Sequence, residues 1–316
     1  MIGGQMTVKR KLLLTGGRGM VGQNILEHAR AQDWDIAAPS LSELDLTNAQ
    51  AVTAYMDQWR PDVVVHAAGE VGGIQANMAH PVDFLVRNTD MGRNVVLAAR
   101  AAGVKRLLNL SSSCMYPRDA QNPLTEDLIL KGELEPTNEG YAIAKIFTTR
   151  LCQYIMREDP QYHYKTLIPC NLYGRHDKFD PQRSHLVPAV IAKIHRAKTQ
   201  GLLEVDIWGD GTARREFMYA GDLADAIFHA LQVFDQWPDL CNVGLGHDHS
   251  IDDYYATVAD VIGWSGQFVH DVSKPAGMKR KLVDVSRQTA LGWKPRTSLR
   301  QGIAQTYDFY LKEAAR

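Results

Sequence analysis

A doubly wound parallel α/β fold is predicted by three features of the sequence. Short apolar runs alternate with longer stretches of helical periodicity, a glycine-rich turn follows the first run, and a serine-rich segment follows the third. The runs are Lys11–Leu14, Val63–Ala67, Arg106–Leu110 and Lys165–Ile168, each short enough for a buried strand. Between them, Val21–Ala31 and Val82–Ala102 carry apolar residues at three- and four-residue spacing, as helices do. After about residue 175 the pattern loosens. Pro181, Pro188, the turn Gly209-Asp210-Gly211 and the strand-like Leu203–Trp208 suggest that the chain leaves the sheet for a smaller region. A helix and a strand within Asp222–Val243, the strand around Cys241-Asn242-Val243, return to extend the sheet. Residues 246–316 read as two helical segments around the strand-like Gln267–Val272. The expected organisation is a main domain of residues 8–175 plus 222–245, and a smaller, discontinuous α/β domain of residues 176–221 plus 246–316.

Composition narrows the class of molecule. The 316 residues carry 35 basic and 36 acidic side chains, a net charge of -1, which argues against a nucleic-acid or polybasic membrane binder. With 45% apolar and 22% charged residues the chain has the make-up of a globular protein rather than a disordered or fibrous one. The four cysteines, Cys114, Cys152, Cys170 and Cys241, show neither C-x-x-C metal spacing nor a disulfide framework, so no metal site and a reducing, cytoplasmic compartment are expected. No apolar stretch precedes Leu12 and no later run approaches the ~20 residues that cross a bilayer, so a soluble protein is expected.

The first strand runs into Gly16-Gly17-Arg18-Gly19-Met20-Val21-Gly22 and then a helix. This is the strand–turn–helix context in which a glycine fingerprint binds a dinucleotide, and it makes the sheet Rossmann-like. Gly17 and Gly19 allow a tight turn and close approach to a pyrophosphate, and Gly22 lets the helix pack near the strand. The phosphates then lie at the helix N-terminus.

Of 12 tyrosines, only Tyr141 has a lysine four residues later, Lys145. On a helix these positions share a face, so the ammonium stands beside the phenol and favours its ionised form. About thirty residues earlier, Ser111-Ser112-Ser113-Cys114 follows the run ending at Leu110, at the carboxyl end of a strand, where open α/β sheets bind ligands. A serine hydroxyl there can hold a carbonyl oxygen.

These strings, together with VGGIQAN at 71–77, SSCMYP at 112–117, EPTNEGYAIAK at 135–145, NLYGRHDKF at 171–179, SHLVPA at 184–189, WGDGTARREF at 208–217 and KPAGMKRKLVD at 274–284, cover nearly the whole chain. On them the sequence resembles the extended short-chain dehydrogenase/reductases, and within these the epimerase-reductases acting on GDP-4-keto-6-deoxy-D-mannose. The resemblance implies that Ser112, Tyr141 and Lys145 reduce the C4 ketone with NADPH, and that Cys114 and His185 shuttle protons during inversion of C3 and C5. A ketone acidifies its α-carbons only when donors stabilise the enolate oxygen, and a thiolate and a histidine titrate close enough to neutrality to exchange those protons. It further implies NADPH/NADP+ contacts from Gly16, Gly17, Arg18, Gly19, Met20, Val21, Gly22, Leu110, Ser111, Ser112, Lys145, Pro169, Asn171, Leu172 and His185. Lys193, Trp208, Arg215 and Lys281 are implied for the GDP-sugar, and a homodimer through the helices around 82–102 and 141–155.

Two departures stand out. Ala276 replaces the family's aspartate, and the segment Ala37-Ala38-Pro39-Ser40-Leu41 has neither the arginines of NADP-binding relatives nor the acidic residue of an NAD site, leaving Arg18 as the cation that favours NADPH. Rival readings are a sibling enzyme on another GDP-4-keto sugar, such as a colitose or heptose precursor, and a non-catalytic dinucleotide-binding scaffold. A 4,6-dehydratase fits less well, because Cys114 stands where the dehydratases carry a carboxylic acid.

Overall fold

The computed structural model describes residues 9–180, 184–274 and 279–315. The first half alternates strand and helix: β1 (Arg10–Thr15), α1 (Met20–Leu26), β2 (Trp34–Ala37), α2 (Ala49–Trp59), β3 (Val63–His66), α3 (Ile74–Ala79), α4 (Pro81–Ala101), β4 (Arg106–Leu110), α5 (Glu139–Glu158) and β5 (His163–Pro169). There follow β6 (Asn171–Tyr173), α6 (Leu186–Gln200), β7 (Glu204–Trp208), β8 (Arg214–Arg215), β9 (Phe217–Tyr219), α7 (Ala220–Gln232) and β10 (Leu240–Val243). The last part comprises β11 (His249–Ser250), α8 (Ile251–Ile262), β12 (Gln267–Asp271), β13 (Arg280–Lys281), α9 (Ser286–Ala290) and α10 (Leu299–Ala314).

Six parallel strands form the main sheet in the order β10-β5-β4-β3-β1-β2, with β10 returning to its edge after the excursion through β6–β9. All but the half-exposed edge strand β2 are buried on both faces, as parallel sheets require. Leu12, Leu14, Val63, Val65 and Leu108 pack with Ile25 of α1 and Leu223 and Ile227 of α7. The alternate residues Leu13, Val64 and Leu107 pack with Val52 and Met56 of α2, Val95 and Val96 of α4, and Cys152 and Ile155 of α5. A separate core joins Val187, Ile191 and Ile194 of α6 to Val205, Ile207, Tyr254, Val258 and Ile303. Chain order reverses between β1 and β3, which puts the ligand crevice at the carboxyl ends of β1, β3, β4 and β5.

Local chemistry explains where expectation and structure differ. The helix expected over 21–31 stops at Leu26 because His28 caps a following 3-10 turn, its Nδ1 accepting the Arg30 N–H at 3.2 Å while its ring stacks on Phe228. Pro188 falls in the first turn of α6, where its missing N–H has no intrahelical partner to lose, so it starts a helix rather than loosening the chain. The strand-like Gln267–Val272 ends at Asp271 and pairs in parallel with β7. Residues 246–316 hold the two expected helices, plus the short α9 and the two-residue strands β11 and β13. Pro181 and Ala276 lie outside the described residues. Among the described residues no helix is long and apolar enough to cross a membrane.

Candidate active site

The turn after β1 is shaped by glycine at each tight point. The left-handed backbone falls at Gly16, with φ +77°, one residue before the expected Gly17. A Cβ on Gly16 would lie 2.7 Å from the Ala68 backbone, one on Gly17 2.7 Å from Ala38 Cβ, and one on Gly22 2.2 Å from the Gly16 carbonyl oxygen. These three therefore let β1, β2, β3 and α1 converge. At Gly19 a Cβ would meet only Gly16 O, at 3.4 Å, so its outer side forms an open cradle at the start of α1. That cradle fits a pyrophosphate. Met20 and Val21 follow, half-buried. Arg18 is exposed, and its charge helps hold the Glu43 carboxyl below its ordinary value, after the backbone and side-chain hydrogen bonds from Ser40. Glu43 lies just beyond the segment 37–41, and its carboxylate accepts from Ser40 N at 2.7 Å and Ser40 Oγ at 2.8 Å.

At the end of β4 the three serines diverge. Ser111 is buried with its Oγ turned to Met115 Sδ, at 2.9 Å, leaving backbone as its contribution to the crevice, and Ser113 is buried as well. Ser112 is half-buried and hydrogen-bonds Tyr141. Burial, then Cys114, push the Tyr141 phenol above its ordinary value, and the Ser112 hydrogen bond opposes them. Lys145 is 7% exposed and donates to the Leu110 carbonyl oxygen at 3.0 Å. Burial lowers it to about 8, with Cys114 opposing. His66 brings no competing charge: burial first and Lys145 second push it down to about 3, and its Nδ1 meets Thr15 Oγ1 at 2.8 Å. Asn88 fixes the neighbouring loop by binding Glu70 N and O, which sets Gly69 beside the Lys145 ammonium.

Cys114 is half-buried next to these groups, and its Sγ accepts from Asn138 Nδ2 at 3.2 Å and Lys281 Nζ at 3.9 Å. Lys281 reaches it because β13 pairs with β8 in the register Lys281↔Arg215. Two buried carboxylates hold that arrangement. Asp248 bridges Arg214 of β8 and Arg280 of β13. Glu216 accepts from Leu245 N at 2.6 Å, Gly246 N at 3.0 Å and Val283 N at 2.9 Å, while burial raises it to about 7. His185 immediately precedes α6 without capping it through its side chain, and burial followed by the Lys178 charge holds it below the ordinary histidine value. The 71–77 segment abuts it, since a Cβ on Gly73 would lie 3.2 Å from the Ser184 carbonyl oxygen.

The sequence-predicted residues therefore fall into unequal groups. Ser112, Cys114, Tyr141, Lys145 and Lys281 meet around one point. Pro169, Asn171 and Leu172 lie at the end of β5 and on β6, with Asn171 Nδ2 donating to Glu216 O. Trp208 is 49% exposed with Lys274 Nζ 5.8 Å from its ring centre. Lys193 is instead paired with Asp206, at 2.7 Å. Nothing in the sequence marks Asn138, Glu216, Asp248 or Asn88 as site residues, although Asn138 and Glu216 lie inside the strings 135–145 and 208–217. Among the described residues no group of three or more His, Cys, Asp or Glu side chains could hold a metal ion.

Known proteins resemble the chain in sequence and in fold. Residues 12–244 match the model of the NAD dependent epimerase/dehydratase family. The chain is 54% identical to a GDP-L-fucose synthase of Azorhizobium caulinodans over 96% of each chain. It is 53% identical to a GDP-L-colitose synthase of Yersinia pseudotuberculosis, over 96% of this chain and 98% of that one. A GDP-D-glycero-L-gluco-heptose synthase of Campylobacter jejuni, solved in the presence of NADPH, superposes with a TM-score of 0.89 at 29% identity, over 97% of this chain and 100% of that one. A glycine cradle after β1, a tyrosine–lysine pair on α5 and near-full-length identity above one half lead to one conclusion: the chain belongs to the NAD dependent epimerase/dehydratase family, in the branch of the GDP-L-fucose and GDP-L-colitose synthases.

Proposed function

We propose that the protein is an NADPH-dependent epimerase-reductase that converts GDP-4-keto-6-deoxy-D-mannose to GDP-L-fucose, inverting C3 and C5 and then reducing C4. The convergence of Ser112, Cys114, Tyr141 and Lys145 at the carboxyl end of β4 carries this reading. The turn from Gly16 to Gly22, the Leu110–Ser112 backbone and Lys145 would hold NADPH, which when bound supplies the hydride for C4. Cys114 Sγ takes the proton from the carbon beside the ketone, and the electron pair moves to the C4 oxygen, where Ser112 and Tyr141 stabilise it. His185 returns a proton on the opposite face, its lowered pKa making the imidazolium a stronger acid. In the reduction Tyr141, kept protonated by its burial, gives its proton to the C4 oxygen, and the Lys145 ammonium supports the phenolate left behind. Arg215 and Lys281, paired in register, face the diphosphate. The six-stranded part holds the cofactor and the smaller sheets hold the GDP-sugar.

A second reading is favoured by the near-equal identity to the GDP-L-colitose synthase, 53% against 54%. In it the same groups act on the keto precursor of GDP-L-colitose. One assay separates the two: purified protein with NADPH and, in turn, GDP-4-keto-6-deoxy-D-mannose, the GDP-L-colitose precursor and a GDP-4-keto-heptose. The highest kcat/KM, with GDP-L-fucose as product, belongs to the first substrate on the main reading. Absence of NADPH oxidation with all three would leave a dinucleotide-binding scaffold.

A cytoplasmic homodimer completes the proposal. Val82, Val86 and Leu97 of α4 and Ile143, Phe147 and Tyr154 of α5 are exposed along two packed helices, as a self-complementary face would be. All four cysteines are free, as suits a reducing compartment.

A further inference from the structure

Asn138 ends a 3-10 turn, Pro136–Asn138, that runs straight into α5 and is capped by the Glu135 side chain, so the Asn138 side chain is free of any capping bond. Its Nδ2 donates instead to the Cys114 sulfur at 3.2 Å, and its Oδ1 is buried without a hydrogen-bond partner. Leaving a buried acceptor empty destabilises the fold. A side chain that carries this cost while donating to a sulfur in the site points to function rather than folding.

The surroundings of the sulfur say which function. Cys114 Sγ faces two N–H donors, Asn138 Nδ2 and Lys281 Nζ, and among the described residues none accepts its S–H. Such donors hold a thiolate more strongly than a neutral thiol. We infer that Asn138 is a catalytic residue of the proton-abstraction step, its Nδ2–H group holding the Cys114 sulfur as the thiolate that receives the proton. This rests on the reading of Cys114 as the base. In the step itself the carbon–hydrogen bond beside the ketone breaks, the proton joins Sγ, and the electron pair goes to the C4 oxygen. Asn138 neither gains nor loses a proton, and its bond to sulfur weakens as the negative charge departs.

The inference can be separated from that reading because thiolate content is measurable without substrate. Iodoacetamide reacts with thiolates, and Cys152, Cys170 and Cys241 are 0%, 4% and 0% exposed, so alkylation of the folded full-length chain reports Cys114, with Cys114→Ser as the blank. At neutral pH, Asn138→Leu should slow alkylation about tenfold, the worth of one hydrogen bond to a charged group. Asn138→Asp should slow it more, because a carboxylate beside the sulfur repels a thiolate. A folding role predicts the opposite order, since aspartate has the shape of asparagine and leucine does not. Because Asn138→Asp keeps that shape, it decides the matter even if the leucine variant fails to fold.

Alkylation unchanged in Asn138→Asp, or slower in Asn138→Leu than in Asn138→Asp, overturns the inference. Solvent-deuterium incorporation into the keto sugar should fall in parallel with alkylation. Slower alkylation with normal incorporation also overturns the catalytic role, and with it the reading of Cys114 as base. Normal alkylation in both variants, with incorporation abolished in Cys114→Ser, overturns only the role of Asn138.

Discussion

The Lys145 ammonium lies 5.7 Å from the centre of the Tyr141 ring, one turn along α5, and is anchored from the other side by the Leu110 carbonyl oxygen. Burial lowers Lys145 to about 8, so it is charged at neutral pH and loses its charge as the pH rises through that value. With the charge goes the field that supports the Tyr141 phenolate. Single-turnover oxidation of NADPH should therefore decline above a midpoint near about 8. Tyr141→Phe removes the proton donor with almost no change of volume, and should slow the same step by ~100- to 10,000-fold. A parental rate in Tyr141→Phe, or a parental profile that stays flat on the alkaline side, would refute the assigned roles.

Arg18 shares its surroundings with Glu43 rather than with a second arginine. On the proposed role of Arg18, a 2′-phosphate beside it would be attracted by Arg18 and repelled by Glu43, and the two would set the cofactor preference against each other. Arg18→Ala should weaken NADPH by about tenfold, the loss of a charge-assisted hydrogen bond, and leave NADH nearly unaffected. Glu43→Gln should tighten NADPH relative to NADH. Fluorescence titration with both cofactors checks each variant; equal losses for both in Arg18→Ala would remove that residue from the role.

Legibility in the sequence followed the range of the interactions. Val63-Val64-Val65 could be read as a strand because a parallel strand buried on both faces needs nothing beyond its own apolar run. Tyr141 and Lys145 could be paired because helix geometry alone brings them together. The approach of Lys281 to Cys114, 167 residues away, depends on the return of a two-residue strand too short to show any periodicity. Lys193 carries no local mark that distinguishes a ligand-binding lysine from the partner of Asp206. Asn138 was hidden for the opposite reason: before a helix, asparagine already has an ordinary explanation. Glu43 lies just beyond the segment 37–41, and only the turn from Ser40 brings it back.

Asp248 shows how positioning and binding divide. Its side chain is 3% exposed and joins Arg214 to Arg280, which keeps β8 and β13 side by side and Arg215 level with Lys281. Asp248→Ala leaves both guanidinium groups without that shared partner, at a stability loss on the order of 1–3 kcal/mol. The two cations beyond it lose their spacing, so the KM for the GDP-sugar should rise while kcat falls much less. Thermal unfolding and steady-state kinetics read the two effects, and Asp248→Glu should recover part of both. A fall in kcat at unchanged KM would place Asp248 elsewhere in the mechanism.

Inversion needs a base and an acid on opposite faces, and the two candidates differ in how their surroundings prepare them. Cys114 faces the donors Asn138 and Lys281, whereas His185 is held below the ordinary histidine value by burial and by Lys178, and so is mainly neutral at neutral pH. Cys114→Ser replaces the sulfur by a hydroxyl oxygen, which ionises far less readily and cannot serve as the base. Solvent-deuterium incorporation into the keto sugar should then fall by ~100-fold or more, with NADPH affinity near the parental value. His185→Gln should still allow the proton to leave but should impair its return from the opposite face, so deuterium appears with retained configuration. Because the imidazolium becomes more populated as the pH falls towards its lowered value, inversion by the parental enzyme should gain on deprotonation at acidic pH, and His185→Gln should lose that gain. Mass spectrometry and NMR of the recovered sugar distinguish exchange from inversion at each carbon. Normal exchange at both carbons in Cys114→Ser would leave the proton abstraction to a group other than Cys114.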